Sequence, residues 1–121
     1  LSGANLSGAD LSGADLTGTN LEGANLSGAQ IINATLKGTV LARTNLSGAT
    51  IGADLGPGLD RVSLQRADLR TARFYNPRFV FSNLRDALAN AATFTDATWT
   101  MTICPDGYLV RKPPESCTGH F

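Results

Sequence analysis

Along residues 1–51 a Leu or Ile returns at every fifth position: Leu1, Leu6, Leu11, Leu16, Leu21, Leu26, Ile31, Leu36, Leu41, Leu46 and Ile51. Two positions before most of these sits a small side chain, such as Ala4, Ala9, Ala14, Thr19 or Ala24. The other places are mainly Ser, Thr, Asn, Asp and Gly. A second tract keeps the pattern in a shifted frame, with centres Leu59, Leu64, Leu69, Phe74, Phe79, Leu84, Ala89, Phe94 and Trp99. A period of five fits neither common element. Five α-helical steps advance about 500°, which leaves successive leucines about 140° apart. Five strand steps put them on opposite faces, and frequent Gly disfavours a helix. The geometry that gathers every centre into one core is a coil turning by a similar angle at each repeat. Centre and small partner then point inward, while Asn/Asp, Ser/Thr and Gly point outward or shape corners. Successive coils stack through parallel backbone hydrogen bonds, about 4.8 Å apart.

The string Ala-(Asn/Asp)-Leu-x-Gly, as in Ala4-Asn5-Leu6-Ser7-Gly8 and Ala9-Asp10-Leu11-Ser12-Gly13, resembles the pentapeptide-repeat family over residues 1 to about 100. The resemblance implies an all-β fold, a right-handed quadrilateral parallel β-helix with four pentapeptides per coil. Residues 1–99 would then make about five coils, and residues 100–121 a disulfide-linked C-terminal capping tail. Ile51 to Leu55 and Leu55 to Leu59 are each four residues. Two readings stay open for 52–58. Two shortened faces would align Leu1, Leu21, Leu41, Leu59, Phe79 and Trp99 in one column. A local bulge would instead use the turn chemistry of Gly56-Pro57-Gly58. Neither makes a second domain. The expected core includes Leu6, Leu26, Leu46, Leu64, Leu84, Phe74, Phe79, Phe94 and Trp99. Phe74 should lie one coil from Phe94, and Phe79 one coil from Trp99, as stacked aromatic pairs. Pro77 takes an inward small position without an N–H. Ala89 replaces a Leu centre, which should leave the interior short of bulk near Leu69.

Charge changes the functional picture more than the fold. Ten Lys+Arg balance ten Asp+Glu, which argues against a polyanion binder held by bulk electrostatics. Residues 1–58 carry four acids and two bases, and residues 59–121 six acids and eight bases. Arg61, Arg66, Arg70, Arg73, Arg78 and Arg85 cluster in the second tract. Arg66 should lie one coil from Asp86, a ladder pair. Tyr75 and Phe81 fall at outward positions near these arginines. Either they pack beneath Tyr108, Leu109 and Val110, or Tyr75, Arg78 and Phe81 form a partner surface. The longest apolar runs are a few residues, so no transmembrane helix is expected. The chain opens on Leu1 in mid-pattern, with neither an initiator Met nor a signal peptide, and reads as processed or cut.

Cys104 and Cys117, the two cysteines, suggest one disulfide, with a loop worth about 3 kcal/mol by chain-entropy arguments. A disulfide implies an oxidising compartment. A Cys/Cys/His120 metal site lacks a fourth ligand and the usual spacing. Trp99-Thr100, Cys104-Pro105-Asp106-Gly107 and Cys117-Thr118-Gly119-His120 resemble the tail of exported bacterial pentapeptide-repeat proteins. The expected location is therefore secreted, periplasmic or extracellular. The Ser and Asp residues are repeat letters, and a Ser/His/Asp triad would need His120 folded back onto a face. Gly follows the five-residue period, so no phosphate-cradling loop is indicated. No catalytic residue, cofactor, metal or small-molecule substrate is expected. Sequons at Asn5, Asn25, Asn33 and Asn45 arise mostly because the repeat spells Asn-Leu-Ser, which makes glycosylation there a weak expectation. The expected function is a non-enzymatic extracellular structural or protein-interaction module, not an enzyme, with no nucleic-acid partner and no membrane span. A homo-oligomer or filament through the first coil is also expected, since the first nine residues contain no charge, Pro or covering element. The alternative is a DNA-mimicking topoisomerase-binding protein like the quinolone-resistance members. The neutral charge and an outer surface of Ser, Thr, Asn and Gly count against it.

Overall fold

The computed structural model describes residues 1–52, 59–111, 116–117 and 119–121. Among the described residues, each Leu-centred repeat except that of Leu59 is a tight turn. The Leu carbonyl accepts the N–H of the residue three on, as Leu6 does from Ala9 (3.1 Å), Leu26 from Ala29 (3.1 Å) and Leu64 from Ala67 (3.0 Å). The third residue of the turn is left-handed, with φ 66° at Gly8 and 67° at Gly28. A type II turn needs positive φ there, and Gly meets it with no Cβ penalty. The Asn or Asp before the centre ties down the same corner. Its Oδ1 accepts the N–H two residues on, from Ser7 at Asn5 (3.2 Å), Ser12 at Asp10 (3.0 Å) and Ser47 at Asn45 (3.0 Å). This Asx turn is the physical content of the Asn/Asp letter.

A turn at the centre leaves one residue per repeat in ladder register with the next coil, while the centre and corner N–H groups also donate to it. Two faces are therefore joined by single parallel bridges. Asn5, Asn25, Asn45, Asp68 and Leu88 run down one, and Asn20, Val40, Ser63, Asn83 and Ile103 down another. Repeats with bulkier centres extend into strands. The strands are β1 (Gln30–Ile32), β2 (Thr50–Gly52), β3 (Leu59–Asp60), β4 (Arg73–Tyr75), β5 (Arg78–Val80), β6 (Thr93–Thr95), β7 (Thr98–Thr100), β8 (Thr102–Ile103) and β9 (Leu109–Val110). Parallel β1-β2-β4-β6 forms the third face and parallel β3-β5-β7 the fourth. The result is an all-β quadrilateral parallel β-solenoid. Pro77 is buried between β4 and β5. It has no N–H to close a turn, and it joins the left-handed corner at Asn76 to β5.

The register corrects one expectation. Ile31 pairs with Ile51, twenty residues on, and Phe74 with Phe94, again twenty, but Ile51 pairs with Phe74, twenty-three residues on. The coil containing 52–58 is thus three residues longer than its neighbours, not two shorter, and the shortened-face reading falls. Leu41 donates its N–H to Ser63 (2.8 Å) and so stacks on Leu64, while Gly38 donates to Asp60 (2.8 Å), which puts Leu59 under Leu36. Buried backbone groups on the other faces must pair coil to coil, so extra length is confined to one edge. The bulge expected at 52–58 falls, beyond Gly52, on residues that are not described. Ala53, Asp54, Leu55, Gly56, Pro57 and Gly58 lie outside the described residues.

Counted by regular strands, the solenoid makes about three turns, from β1 to β6, fewer than the five coils expected. Residues 1–29 continue the winding through bridges at Asn5, Asp10, Asp15 and Asn20 rather than through strands. Leu26, Leu46, Leu64, Leu84, Phe74, Phe79 and Trp99 are buried as expected. Leu6 and Phe94 are only half-buried, and Leu1 is exposed. Leu1 and Leu6 lie in the first described coil and stack on Leu21 and Leu26, and Phe94 sits in the last strand of its sheet. Phe74 stacks on Phe94 (centroids 4.8 Å, 11°) and Phe79 on Trp99 (4.5 Å, 9°). Phe121 then stacks on the far side of Phe94, at 4.9 Å and 1°.

The tail begins as one more repeat. Leu84 donates to Ile103 (2.8 Å), which places Cys104 at the centre position below Leu84. Gly107 donates to Cys104 (2.9 Å) and the chain doubles back, β9 pairing antiparallel with β8. Cys104 and Cys117 are disulfide-bonded and fully buried. An antiparallel strand laid against a parallel solenoid occupies edge groups that would otherwise template further pairing. Pro113, Pro114 and Thr118 lie outside the described residues.

Candidate functional site

The inward positions are spent on packing. Their few hydroxyls are satisfied by backbone. Thr39 Oγ1 donates to Leu16 O (2.9 Å), Thr44 Oγ1 to Leu21 O (3.1 Å), and Ser82 Oγ to Leu59 O. One buried polar atom has no partner among the described residues, Oδ1 of Asp60 on β3. Among the described residues no group of three His, Cys, Asp or Glu side chains could hold a metal, and no helix is long and apolar enough to cross a membrane. Chemistry that reaches another molecule therefore lies on the outer surface, at the face residues and the corners.

The four corner columns differ in character. One stacks Gly23, Arg43, Arg66 and Asp86. There Arg43 pairs with Glu22 (3.5 Å) and Arg66 with Asp86 (3.7 Å), the latter as expected. The next stacks Gly28, Gly48, Thr71 and Ala91, and the third ends in Asn76 and Asp96. The fourth runs Gly18, Gly38, Arg61, Phe81, Met101, joined by Arg61 N–H to Val80 O (2.8 Å) and Phe81 N–H to Thr100 O (3.0 Å). Its last three members hold φ of 55°, 50° and 47°. A left-handed backbone costs an L-residue about 1–2 kcal/mol, and it is least expected for bulky side chains. Phe81 is nevertheless 56% exposed and Met101 40%. The Arg61 guanidinium lies 6.0 Å from the Phe81 ring centroid, within cation–π range.

The three residues expected to form a partner surface are split by the fold. Tyr75 on β4 and Arg78 on β5 flank the Asn76 corner. With Ile31, Ile51, Leu59 and Pro77 they line a hollow of about 20 Å³, room for about one water. Phe81 belongs to the next corner, with Arg61 and Met101. The expectation that Tyr75 and Phe81 pack beneath Tyr108 does not hold, since both are exposed. Tyr108 stacks instead on His120, at 4.2 Å and 4°, where the doubling back at Gly107 carries it. Met101 and the outward Leu88 escaped sequence reasoning, and Arg61 was placed only within the arginine cluster. Their signal is a large residue at a letter where the repeat spells Gly or Asn/Asp.

His120 Nδ1 lies 2.7 Å from Asp106 Oδ2, and Asp106 Oδ1 accepts the Tyr108 N–H (2.8 Å). The Tyr108 N–H, then His120, hold the Asp106 carboxyl below the ordinary Asp range. Asp10 and Asp15 are lowered by the hydroxyl and then the N–H of Ser12 and Thr17. Asp68 is lowered chiefly by the Arg70 side chain, which donates from Nε (2.9 Å) and from its terminal NH2 (2.7 Å). These groups tie loops and corners together.

Residues 1–38 and 20–55 match the profile described as Pentapeptide repeats, in eight copies. No curated protein matches the chain by sequence. A pentapeptide-repeat protein from the thylakoid lumen of Arabidopsis thaliana superposes with a TM-score of 0.53 at 22% identity, covering 90% of this chain and 70% of that one. That similarity speaks for the fold. A pentapeptide-repeat protein of the cyanobacterium Cyanothece matches at TM-score 0.38 and 23% identity, over 83% of this chain and 87% of its own. HetL of the cyanobacterium Nostoc, described as involved in heterocyst differentiation regulation, matches at TM-score 0.28 and 26% identity, over 91% and 63%.

Proposed function

Because the chain belongs to the pentapeptide-repeat family, we propose that it is a non-catalytic, extracytoplasmic module that binds another protein on its outer surface. The observation that carries this reading is the contrast between an interior closed by packing and an exterior that keeps large apolar side chains in water, Phe81, Leu88 and Tyr75 among them. Exposed apolar groups beside arginines are the composition of interaction surfaces rather than of inert ones. The buried Cys104–Cys117 disulfide supports an oxidising compartment. Topoisomerase binding by DNA mimicry has less support, because Arg61, Arg73, Arg78 and Arg85 are among the outward side chains of the second tract where a mimic needs carboxylates.

Photo-crosslinking in the native compartment tests the reading. A benzoyl-phenylalanine placed at Phe81 should give a discrete adduct heavier than the chain, and one at Ser27 much less. No adduct at any outward position would refute an interaction module. An adduct of twice the chain's own mass would make the partner another copy, the self-assembling form of the same reading. Adducts with a topoisomerase would revive DNA mimicry.

A further inference from the structure

We propose that the corner column Arg61–Phe81–Met101 is a docking ridge for an extended protein segment carrying apolar side chains flanked by carboxylates. This rests on the interaction-module reading and names its surface and its partner's chemistry. The other three corners carry glycine, charged or small polar residues, or alanine. Among the described residues, only here do two large apolar side chains occupy successive left-handed corners, each exposed by two-fifths or more. Glycine fits these positions without strain, as Gly18 and Gly38 show higher in the same column. An exposed Phe in a strained conformation adds nothing to the core, so an outlier of this kind points to use rather than to folding. Phe81 and Met101 lie on adjacent rungs, about 4.8 Å apart at the strand spacing.

The charge around the ridge sets the partner's sign. Lys37 and Asp60 pair to the same corner through backbone bonds, and Arg78 and Val80 share the outer side of β5. Among the described residues, Lys37, Arg61 and Arg78 have no carboxylate within ion-pair distance. Asp60, which precedes Arg61 in the chain, has its Oδ1 buried. The ridge is thus an apolar strip with cations beside it that no carboxylate among the described residues pairs. A segment bringing carboxylates complements it, and a basic segment does not.

The test uses the full oxidised chain, labelled with 15N. It is titrated with an acetylated Asp-Leu-Asp-Leu-Asp peptide and its Lys-Leu-Lys-Leu-Lys counterpart. The acidic peptide should move the amides of Arg61, Phe81 and Met101, bind about tenfold tighter than the basic one, and weaken in about 0.5 M salt. Phe81→Gly should lower that affinity about tenfold while raising the thermal midpoint, because glycine relieves the corner. A merely structural Phe81 would do the reverse. Arg61→Gln should reduce the salt dependence. Shifts that map to the Tyr75–Asn76 corner and not to Arg61, Phe81 and Met101 would overturn the ridge and leave the interaction module standing. Equal binding of both peptides, no shifts at all, an unaffected or destabilised Phe81→Gly variant, or dimerisation through the ridge would each overturn the proposal.

Discussion

A reciprocal exchange within one corner column tests whether the left-handed turn is what the glycine letter is for. Gly28 and Ala91 occupy the same column, with φ of 67° and 59°. A Cβ on Gly28 would meet nothing within 4 Å, so its cost is conformational and not steric contact with a neighbour. The left-handed region costs an L-residue about 1–2 kcal/mol. Removing glycine restricts the unfolded chain and returns about 0.4–1 kcal/mol. Gly28→Ala should therefore destabilise by about 0.5–1 kcal/mol, and Ala91→Gly should stabilise by a similar amount. Urea unfolding reads both, provided the slope m is unchanged, so that a shifted midpoint means shifted stability. At this chain length the thermal midpoints should move by about 2–5 °C in opposite directions. A neutral or stabilising Gly28→Ala together with a destabilising Ala91→Gly would refute the argument, since both changes would then follow intrinsic chain flexibility rather than the corner.

Other outcomes follow from the same geometry. Leu26→Asp should cost several kcal/mol, about what a buried unpaired carboxylate forfeits, whereas Ser27→Asp should stay within about 0.5 kcal/mol; chemical denaturation separates them. The carboxyls of Asp10, Asp15, Asp68 and Asp106 are held below their ordinary value. Their contribution is fully present above the unfolded value and is lost as pH falls through the folded ones. Stability should thus drop below about pH 4, and Asp68→Asn, which keeps an Oδ1 acceptor for the Arg70 N–H, should flatten part of that slope. Free-thiol titration of the unfolded, unreduced chain should find none, and Cys117→Ser should cost about 3 kcal/mol and loosen Tyr108 and His120 first, seen as faster amide exchange in the tail.

The sequence announced the inward positions because burial is periodic, and a five-residue period leaves one arrangement that collects every Leu. The aromatic pairs and the Arg66–Asp86 contact followed from that period within the second tract, where no length change intervenes. The join could not be read the same way. Between Ile51 and Phe74 two spacings are equally compatible with inward leucines, and coil-to-coil backbone pairing decides between them. Nor could the letters show that Cys104 continues the column of Leu84, because a cysteine followed by Pro-Asp-Gly looks like the start of a loop. The ridge was half visible. Phe81 stood out as an outward aromatic, but its neighbours are twenty residues away along the chain and become neighbours only through the stacking.

The coil of twenty-three residues separates two kinds of order that coincide elsewhere. Along the chain the repeat is broken there; across the stack it is not, since Asn45 still meets Asp68 and Val40 still meets Ser63. Adjacency in this fold is therefore inherited from the layer above, and a change of length at one edge is not transmitted to the layers below. The pairing on both sides of the join is kept although its spacing differs from that of the other coils. Foreign sequence of chosen length inserted between Gly52 and Leu59 should leave the Arg61–Phe81–Met101 column assembled, which makes that edge the natural place to lengthen, label or tether the module while its surface stays as it is.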